Sequence, residues 1–251
     1  MSGHSHWATI KRKKGAADAK RGQAFTRLAR EIVMAAREGG GDPDMNVHLQ
    51  LAIERARAEN MPKDNIERAI KRGTGDSKDG VVLEQVFYEG YAGHGIALMI
   101  ETVTENRNRT VSDVRHLLSR GGGNMGEAGS VGWQFSRVAY FSIPATGHDP
   151  DTIFELAVEA GANDVNIDEE VIEIIAPVES FKTISDRLHK AKVTPTEAAL
   201  HMIPNQEIEL SVDDTLAVMK TIEALEELDD VQAVYSNLKI TDEAMAALEA
   251  S

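Results

Sequence analysis

The stretch Val138-Ala139-Tyr140-Phe141-Ser142-Ile143 opens the part of the chain that decides the fold. It is rich in β-branched and aromatic residues and reads as a strand. A helix follows from Asp151 or Thr152 to Ala160, and Gly161 stops it. Asp164–Ile167 and Val171–Ala176 are the next strands, a helix covers about Ser180–Ala191, and Ala198–Ile203 is a further strand. From 138 to 203 the order is β-α-β-β-α-β, the ferredoxin-like split βαβ pattern.

Outward from this block the α/β alternation continues. Val82–Tyr88 and Gly95–Val103 read as a strand pair around the turn Glu89-Gly90-Tyr91-Ala92-Gly93. Residues 110–119 read as a helix with Val111, Val114, Leu117 and Leu118 inward, and Ser130–Phe135 as a strand. Beyond the block come a strand Glu207–Val212, a helix Thr215–Leu228 and a strand Val231–Ile240. These flanking pieces can close a second α/β sandwich around an insertion.

The first eighty residues read as three helices. Phe25, Leu28, Ala29, Ile32 and Ala36 fall at helical spacing, and Gly39-Gly40-Gly41 ends that helix. A second runs from about Asn46 with Leu49, Ile53 and Ala56 on one stripe. Pro62 sits at the first position of a third, which carries Ile66, Ala69 and Ile70 inward and stops at Gly73. Residues 74–80 form a polar hinge.

Composition removes several classes. The 251 residues contain no Cys, which excludes a disulfide framework, a thiolate metal site and a Cys nucleophile. No apolar run approaches the roughly 18 residues of a membrane helix, and no apolar segment follows Met1 as in a secretory signal. The expectation is a cytoplasmic protein with no membrane partner.

The net charge is −14, and it is unevenly placed. Residues 1–40 hold nine Lys and Arg against three Asp and Glu, whereas residues 138–251 hold six against twenty-four. Such a chain either meets a polyanion with one end only or carries a basic helix that is simply solvated. On the first helix, Lys20, Arg27, Arg30 and Arg37 fall opposite the apolar stripe, with Arg21 nearer its edge. Lys11, Arg12, Lys13 and Lys14 continue this face N-terminally. Trp7 precedes that run and is placed to stack on a base or to pack on the helices. His4 and His6 lack the carboxylate or Cys neighbours of a metal site, so no metal is expected.

Residues 121–132 hold six glycines: Gly121, Gly122, Gly123, Gly126, Gly129 and Gly132. Gly121-x-Gly123-x-x-Gly126 matches the dinucleotide fingerprint as text, but it follows a helix and leads into a strand. A phosphate cradle needs the opposite order, so no nucleotide cofactor is expected. Ala128-Gly129-Ser130-Val131-Gly132 nearly matches a nucleophile elbow and fails the same test of context. What remains is a mobile backbone rich in free N–H groups, with Met125 and Ser130 in it. Such a loop can sit against a phosphate, reach into a partner's crevice or serve as a plain linker.

Two longer motifs carry a resemblance. One is Gly3-His4-Ser5-x-Trp7-Ala8-x-Ile10-Lys11 followed by Asp18-x-x-Arg21-Gly22-x-x-Phe25. The other runs from Asn60-Met61-Pro62-Lys63-Asp64-Asn65-Ile66 through Glu67-Arg68-Ala69-Ile70, joined by the loop Gly129-Ser130-Val131. The chain closely resembles the YebC/PmpR family, which includes the mitochondrial translational activator of cytochrome oxidase subunit I. The similarity runs the whole length; His6 departs from it, standing where relatives usually have Lys.

The resemblance implies an α+β chain: an N-terminal three-helix domain plus two α/β ferredoxin-like domains, the third inserted into the second. The corresponding expected domains are 1–80, a discontinuous 81–137 with 204–251, and an inserted 138–203. It also implies a probable transcriptional regulator, with DNA binding attributed to some members and ribosome-linked translation to others.

Four functions are weighed. The first is a nucleic-acid-binding regulator in which Lys11, Arg12, Lys13, Lys14, Lys20, Arg21, Arg27 and Arg30 neutralise phosphates of duplex DNA. The second is a translation factor that docks the same face on ribosomal RNA and probes a crevice of the ribosome with the glycine loop. The third is an enzyme, for which no triad, metal cluster or phosphate loop survives the test of context, so neither catalysis nor a small-molecule substrate is expected. The fourth is an interaction scaffold that uses the acidic C-terminal half. No helix-turn-helix, zinc finger or RNP signature reads bases.

Overall fold

The computed structural model describes residues 19–75 and 83–250. It consists of two compact units. One comprises the described residues of 1–31, 77–136 and 203–251, the other those of 32–76 and 137–202. The division falls inside the first described helix, α1 (Ala19–Gly39).

The second unit holds the end of α1, then α2 (Val47–Ala58) and α3 (Lys63–Thr74). Asn46 joins the first two. Its side-chain oxygen caps α2 by accepting from Leu49 N, and its amide donates to the carbonyls of Ala35 and Gly40 at 2.8 and 2.9 Å. Helix α3 does not stop at Gly73, as its sequence suggests. It runs on to Thr74 and is closed by Gly75 in the left-handed region at φ 84°. Gly73 serves packing instead: a Cβ there would lie 2.5 Å from the carbonyl oxygen of Val33 on α1.

The same unit contains most of β4 (Phe135–Pro144), α5 (Pro150–Glu159), β5 (Asp164–Ile167), β6 (Val171–Ala176), α6 (Phe181–Lys190) and most of β7 (Glu197–Pro204). The strand order β5-β6-β4-β7 is the ferredoxin-like order, with β4·β6 and β5·β6 antiparallel. One face carries Ala139, Phe141, Ile143, Ile172, Ile174 and Ala176, all fully buried, and Ile153, Ile184, Leu188 and Leu51 complete this core. The other face is polar. Ser142 lies opposite Glu173, whose carboxylate accepts from the Tyr140 hydroxyl, and Tyr140 stacks on His201 at 4.4 Å. Burial, then the adjacent Glu173, push the Tyr140 phenol far above its ordinary pKa.

The first unit is built on β1 (Glu84–Tyr91), β2 (Ala97–Thr104) and, after α4 (Arg107–Arg120), the short β3 (Asn124–Met125). The chain returns to it with β8 (Ile208–Glu209), α7 (Val212–Glu226), β9 (Val231–Ser236), β10 (Leu238–Lys239) and α8 (Asp242–Ala250). The sheet order is β3-β1-β2-β9. Leu98 and Ile100 of β2 meet Val114 and Leu118 of α4, Ile222 and Leu225 of α7, and Met245 and Leu248 of α8 in one core.

Three expectations are corrected here. The strand expected over Glu207–Val212 shrinks to two residues, which pair in parallel with β10. The strand expected over Val231–Ile240 breaks at buried Asn237, whose side-chain oxygen accepts from Ala97 N and replaces a ladder bond. Helix α8 is additional; Ala244, Met245 and Leu248, all buried, give its inward stripe.

The turn between α7 and β9 ties this unit together. The Asp230 carboxylate accepts from Arg30 Nη2 at 2.7 Å, from Arg109 Nη2 at 3.2 Å, and from the hydroxyls of Thr110 and Thr104 at 2.6 and 3.1 Å. Arg30 Nη1 also donates to the Asp229 carbonyl. Burial works to raise the Asp230 pKa, but the bonds from Thr110 and Arg109 and the charge of Arg30 outweigh it, so the pKa is lowered. Arg30 and Asp230 retain only 10% and 6% side-chain exposure. Asp230→Ala leaves a buried guanidinium without its countercharge. It should destabilise the protein by about 3–5 kcal/mol in denaturant unfolding, whereas Asp229→Ala, which keeps the carbonyl, should cost far less.

Candidate nucleic-acid interface and the glycine loop

Trp7, Lys11, Arg12, Lys13 and Lys14, with His4 and His6, lie outside the described residues, as do the side chains of Lys20 and Arg21. Of the expected phosphate contacts on α1, Arg27 and Arg30 are described, and neither lies on a free face. Arg30 is buried against Asp230. Arg27 is half-buried; burial lowers its pKa, while Glu226, Asp229 and Glu227 pull it back up. The helical wheel fails because it sees only its own helix. From Ile32 to Ala36 five consecutive residues are buried, so the helix is enclosed on more than one side. The acidic turn that satisfies Arg30 lies about two hundred residues away in sequence. Exposed cations remain elsewhere: Arg37 on α1, Arg57 on α2, and Arg68 and Lys71 on α3.

The glycine loop is a hydrogen-bonded structure and not a free tether. Gly122, at φ 75°, turns the chain out of α4, and Gly123 N donates to the Leu118 carbonyl at 2.8 Å. Gly123 crosses β1 so closely that a Cβ would stand 2.0 Å from the Tyr91 carbonyl oxygen. Asn124 and Met125 then pair with Tyr91 and Gly90 as β3. Gly126 N donates to the Glu89 carbonyl at 2.8 Å.

The Glu89 side chain closes the rest. Its carboxylate accepts the backbone N–H groups of Gly129 at 2.7 Å and of Val131 and Gly132 at 2.8 Å. Val131 is fully buried, and the Tyr91 hydroxyl donates to the Ser130 carbonyl at 3.3 Å. The expected free N–H groups are therefore occupied by an internal anion, in the place where a phosphate would need to sit. This also explains why Ser130–Phe135 is not a strand: Gly132–Gln134 is a 3₁₀ turn, and β4 begins only at Phe135. Burial of Glu89 tends to raise its pKa, but the three N–H bonds from Gly129, Val131 and Gly132 prevail and hold it below the ordinary carboxylate value.

Sequence reading missed two residues here. Glu89 lay in a presumed turn, and nothing in its neighbours marks a carboxylate that binds a loop forty residues later. Trp133 is 73% exposed and follows the loop directly, a position legible only once the loop's course is known. Among the described residues no group of His, Asp and Glu is placed to hold a metal ion, and no helix is long and apolar enough to cross a membrane.

Gly123→Ala should lower stability by about 1–3 kcal/mol, since backbone must move to admit the methyl. In Gly126→Ala the obstacle at 2.2 Å is only the Ser130 hydroxyl oxygen, which is buried without a hydrogen-bond partner. Adding Ser130→Ala should recover much of the loss in thermal melting. The Glu89 contribution should be complete above the ordinary carboxylate pKa and lost as pH falls through the depressed value. Hydrogen exchange at Gly129, Val131 and Gly132 should accelerate at that point, and at neutral pH in Glu89→Ala.

Comparison with known proteins agrees with this architecture. Residues 5–76 match the family described as the TACO1/YebC protein N-terminal domain, and residues 83–238 match the TACO1/YebC second and third domain. A probable transcriptional regulatory protein of Chlorobaculum parvum is 49% identical, with 99% of each chain covered. One from Geotalea uraniireducens is 50% identical over 98% of each. The crystal structure of a conserved hypothetical protein from Aquifex aeolicus is 42% identical, covers 90% of this chain and 93% of its own, and superposes with a TM-score of 0.78. With both matches together spanning nearly the whole sequence, the chain belongs to the TACO1/YebC family.

Proposed function

We propose that this protein is a nucleic-acid-binding regulator of gene expression that engages duplex DNA through its basic N-terminal segment. The observation that carries the reading is charge placement. An excess of six positive charges lies in the first forty residues of a chain whose net charge is −14. The name shared by its relatives, probable transcriptional regulatory protein, supports it. Arg30 drops out of the contact set because it is buried on Asp230, whereas Arg27 is half-buried and stays in it. Lys11, Arg12, Lys13, Lys14, Lys20 and Arg21 remain, and Arg57, Arg68 and Lys71 are further exposed cations on α2 and α3. The acidic C-terminal half repels the same polyanion and limits how the protein can approach it.

Phosphate contacts of this kind give affinity with little sequence readout. Log K should fall linearly with log salt, by about 0.7–0.9 per phosphate neutralised. Lys13→Glu with Lys14→Glu should weaken binding on the order of tenfold or more at low salt with no change in melting temperature. Arg30→Glu should instead unfold the protein. Duplex-DNA shift assays and co-sedimentation with ribosomes, at matched salt, decide the target. Tighter, charge-dependent binding to ribosomes would replace the DNA reading with that of a translation factor. Salt-insensitive binding would remove the electrostatic account.

A further inference from the structure

We infer that the outer face of α5 is a docking surface for a basic, apolar-anchored helical segment of another protein. The inference is independent of the nucleic-acid reading and concerns the acidic part of the chain.

Helix α5 packs on the edge strand β5 and turns Ile153 and Ala157 into the core of the second unit. At about 100° per residue its outer surface carries two rows. Phe154 and Val158, one turn apart, form an apolar row with 46% and 50% of their surfaces exposed. Asp151, Glu155 and Glu159, all exposed and also one turn apart, form an acidic row beside it. Apolar residues exposed singly are ordinary, but a Phe and a Val aligned on one helix face give a partner something to bury. Ile167, 48% exposed, ends the adjoining strand β5. It pairs in register with buried Ile172 and so lies on the helix-bearing face of the sheet. The surface is preformed, because Asp149 caps α5 by accepting from Thr152 N at 3.3 Å and the buried row anchors the helix.

Charge selects the occupant. From Val138 through Phe181 the chain holds ten Asp and Glu and no Lys or Arg. Arg187 of α6 meets Glu159 at 2.6 Å, which leaves Asp151 and Glu155 as the charges offered to a ligand. This face repels a nucleic acid or an anionic membrane. A second copy docked through the same face would bring its own acidic row against this one. A helix with apolar side chains one turn apart and Lys or Arg in the adjoining row answers both rows, since i and i+4 positions recur at the same spacing on each helix. The apolar row then supplies most of the affinity, and the exposed charges supply orientation and encounter rate.

The test uses the full chain and a labelled synthetic helical peptide with a Leu row and a Lys row, each at four-residue spacing, read by fluorescence anisotropy. Two further peptides replace every Leu by Ser or every Lys by Glu. The parent should bind the Leu/Lys peptide best, the Ser/Lys peptide more weakly and the Leu/Glu peptide not at all. Phe154→Ala with Val158→Ala should weaken Leu/Lys binding on the order of tenfold and leave Ser/Lys binding unchanged. Asp151→Asn with Glu155→Gln should weaken it by up to about fivefold per charge at low salt. Asp113→Asn with Glu207→Gln, an equal change of charge at exposed sites outside this unit, should have little effect. All three variants should melt like the parent. An equal loss in both neutralised pairs would show attraction to net charge alone and refute the site. So would an unimpaired Phe154→Ala, Val158→Ala variant, or no binding of the Leu/Lys peptide by the parent. Self-association of the parent that this variant abolishes would assign the face to a second copy and overturn the proposal.

Discussion

The Asp230 carboxylate is the interaction on which the first unit depends. Arg30 from α1, Thr104 from the end of β2, and Arg109 and Thr110 from the start of α4 all converge on it. The Asp230 carbonyl also accepts from Val103 N at 2.8 Å, which joins the turn to β2. A charge this deeply enclosed is tolerable only when its lone pairs are used, and here four donors use them. The result is directional. A hydrophobic core fixes which faces meet, but a fork-shaped guanidinium on a carboxylate fixes how the first part of α1 is held against the α7–β9 turn.

Glu89 obeys the same rule with a different partner. Its carboxylate gathers three backbone N–H groups, so a glycine-rich segment that could have been floppy acquires one shape. In both cases an internal charge consumes groups that, seen in isolation, look available to a ligand. The arginines of α1 look like phosphate contacts, and the loop amides look like a phosphate cradle. Arg30 and the loop amides are in fact satisfied within the fold.

Much of the architecture was legible from local signals. Period-2 and period-3.6 patterns placed the strands and helices of residues 138–203 and, through them, the ferredoxin-like order. Asn46 and Gly161 marked helix ends, and Pro62 stands one residue earlier than expected, as the N-cap of α3, because capping and turn chemistry act within a few residues. Gly73 misled because a glycine can mark a stop or a close helix contact, and sequence does not separate the two. The loop misled for a related reason: composition reports what a backbone can do, and not what a distant carboxylate makes it do.

The sequence by itself determined most of the element types, the uneven charge and the family, since each rests on neighbouring residues or on motifs read in line. Only the tertiary structure decided which charges are spent inside the molecule. Arg30 and Asp230 are two hundred residues apart, and Glu89 and Gly129 forty, so their pairing is set by how strands and helices stack. Electrostatic attraction at about 3 Å is strong and highly local, while helical and strand periodicity reports only the direction of a side chain from its own axis. Whether that direction ends in water or at a carboxylate is a property of the fold.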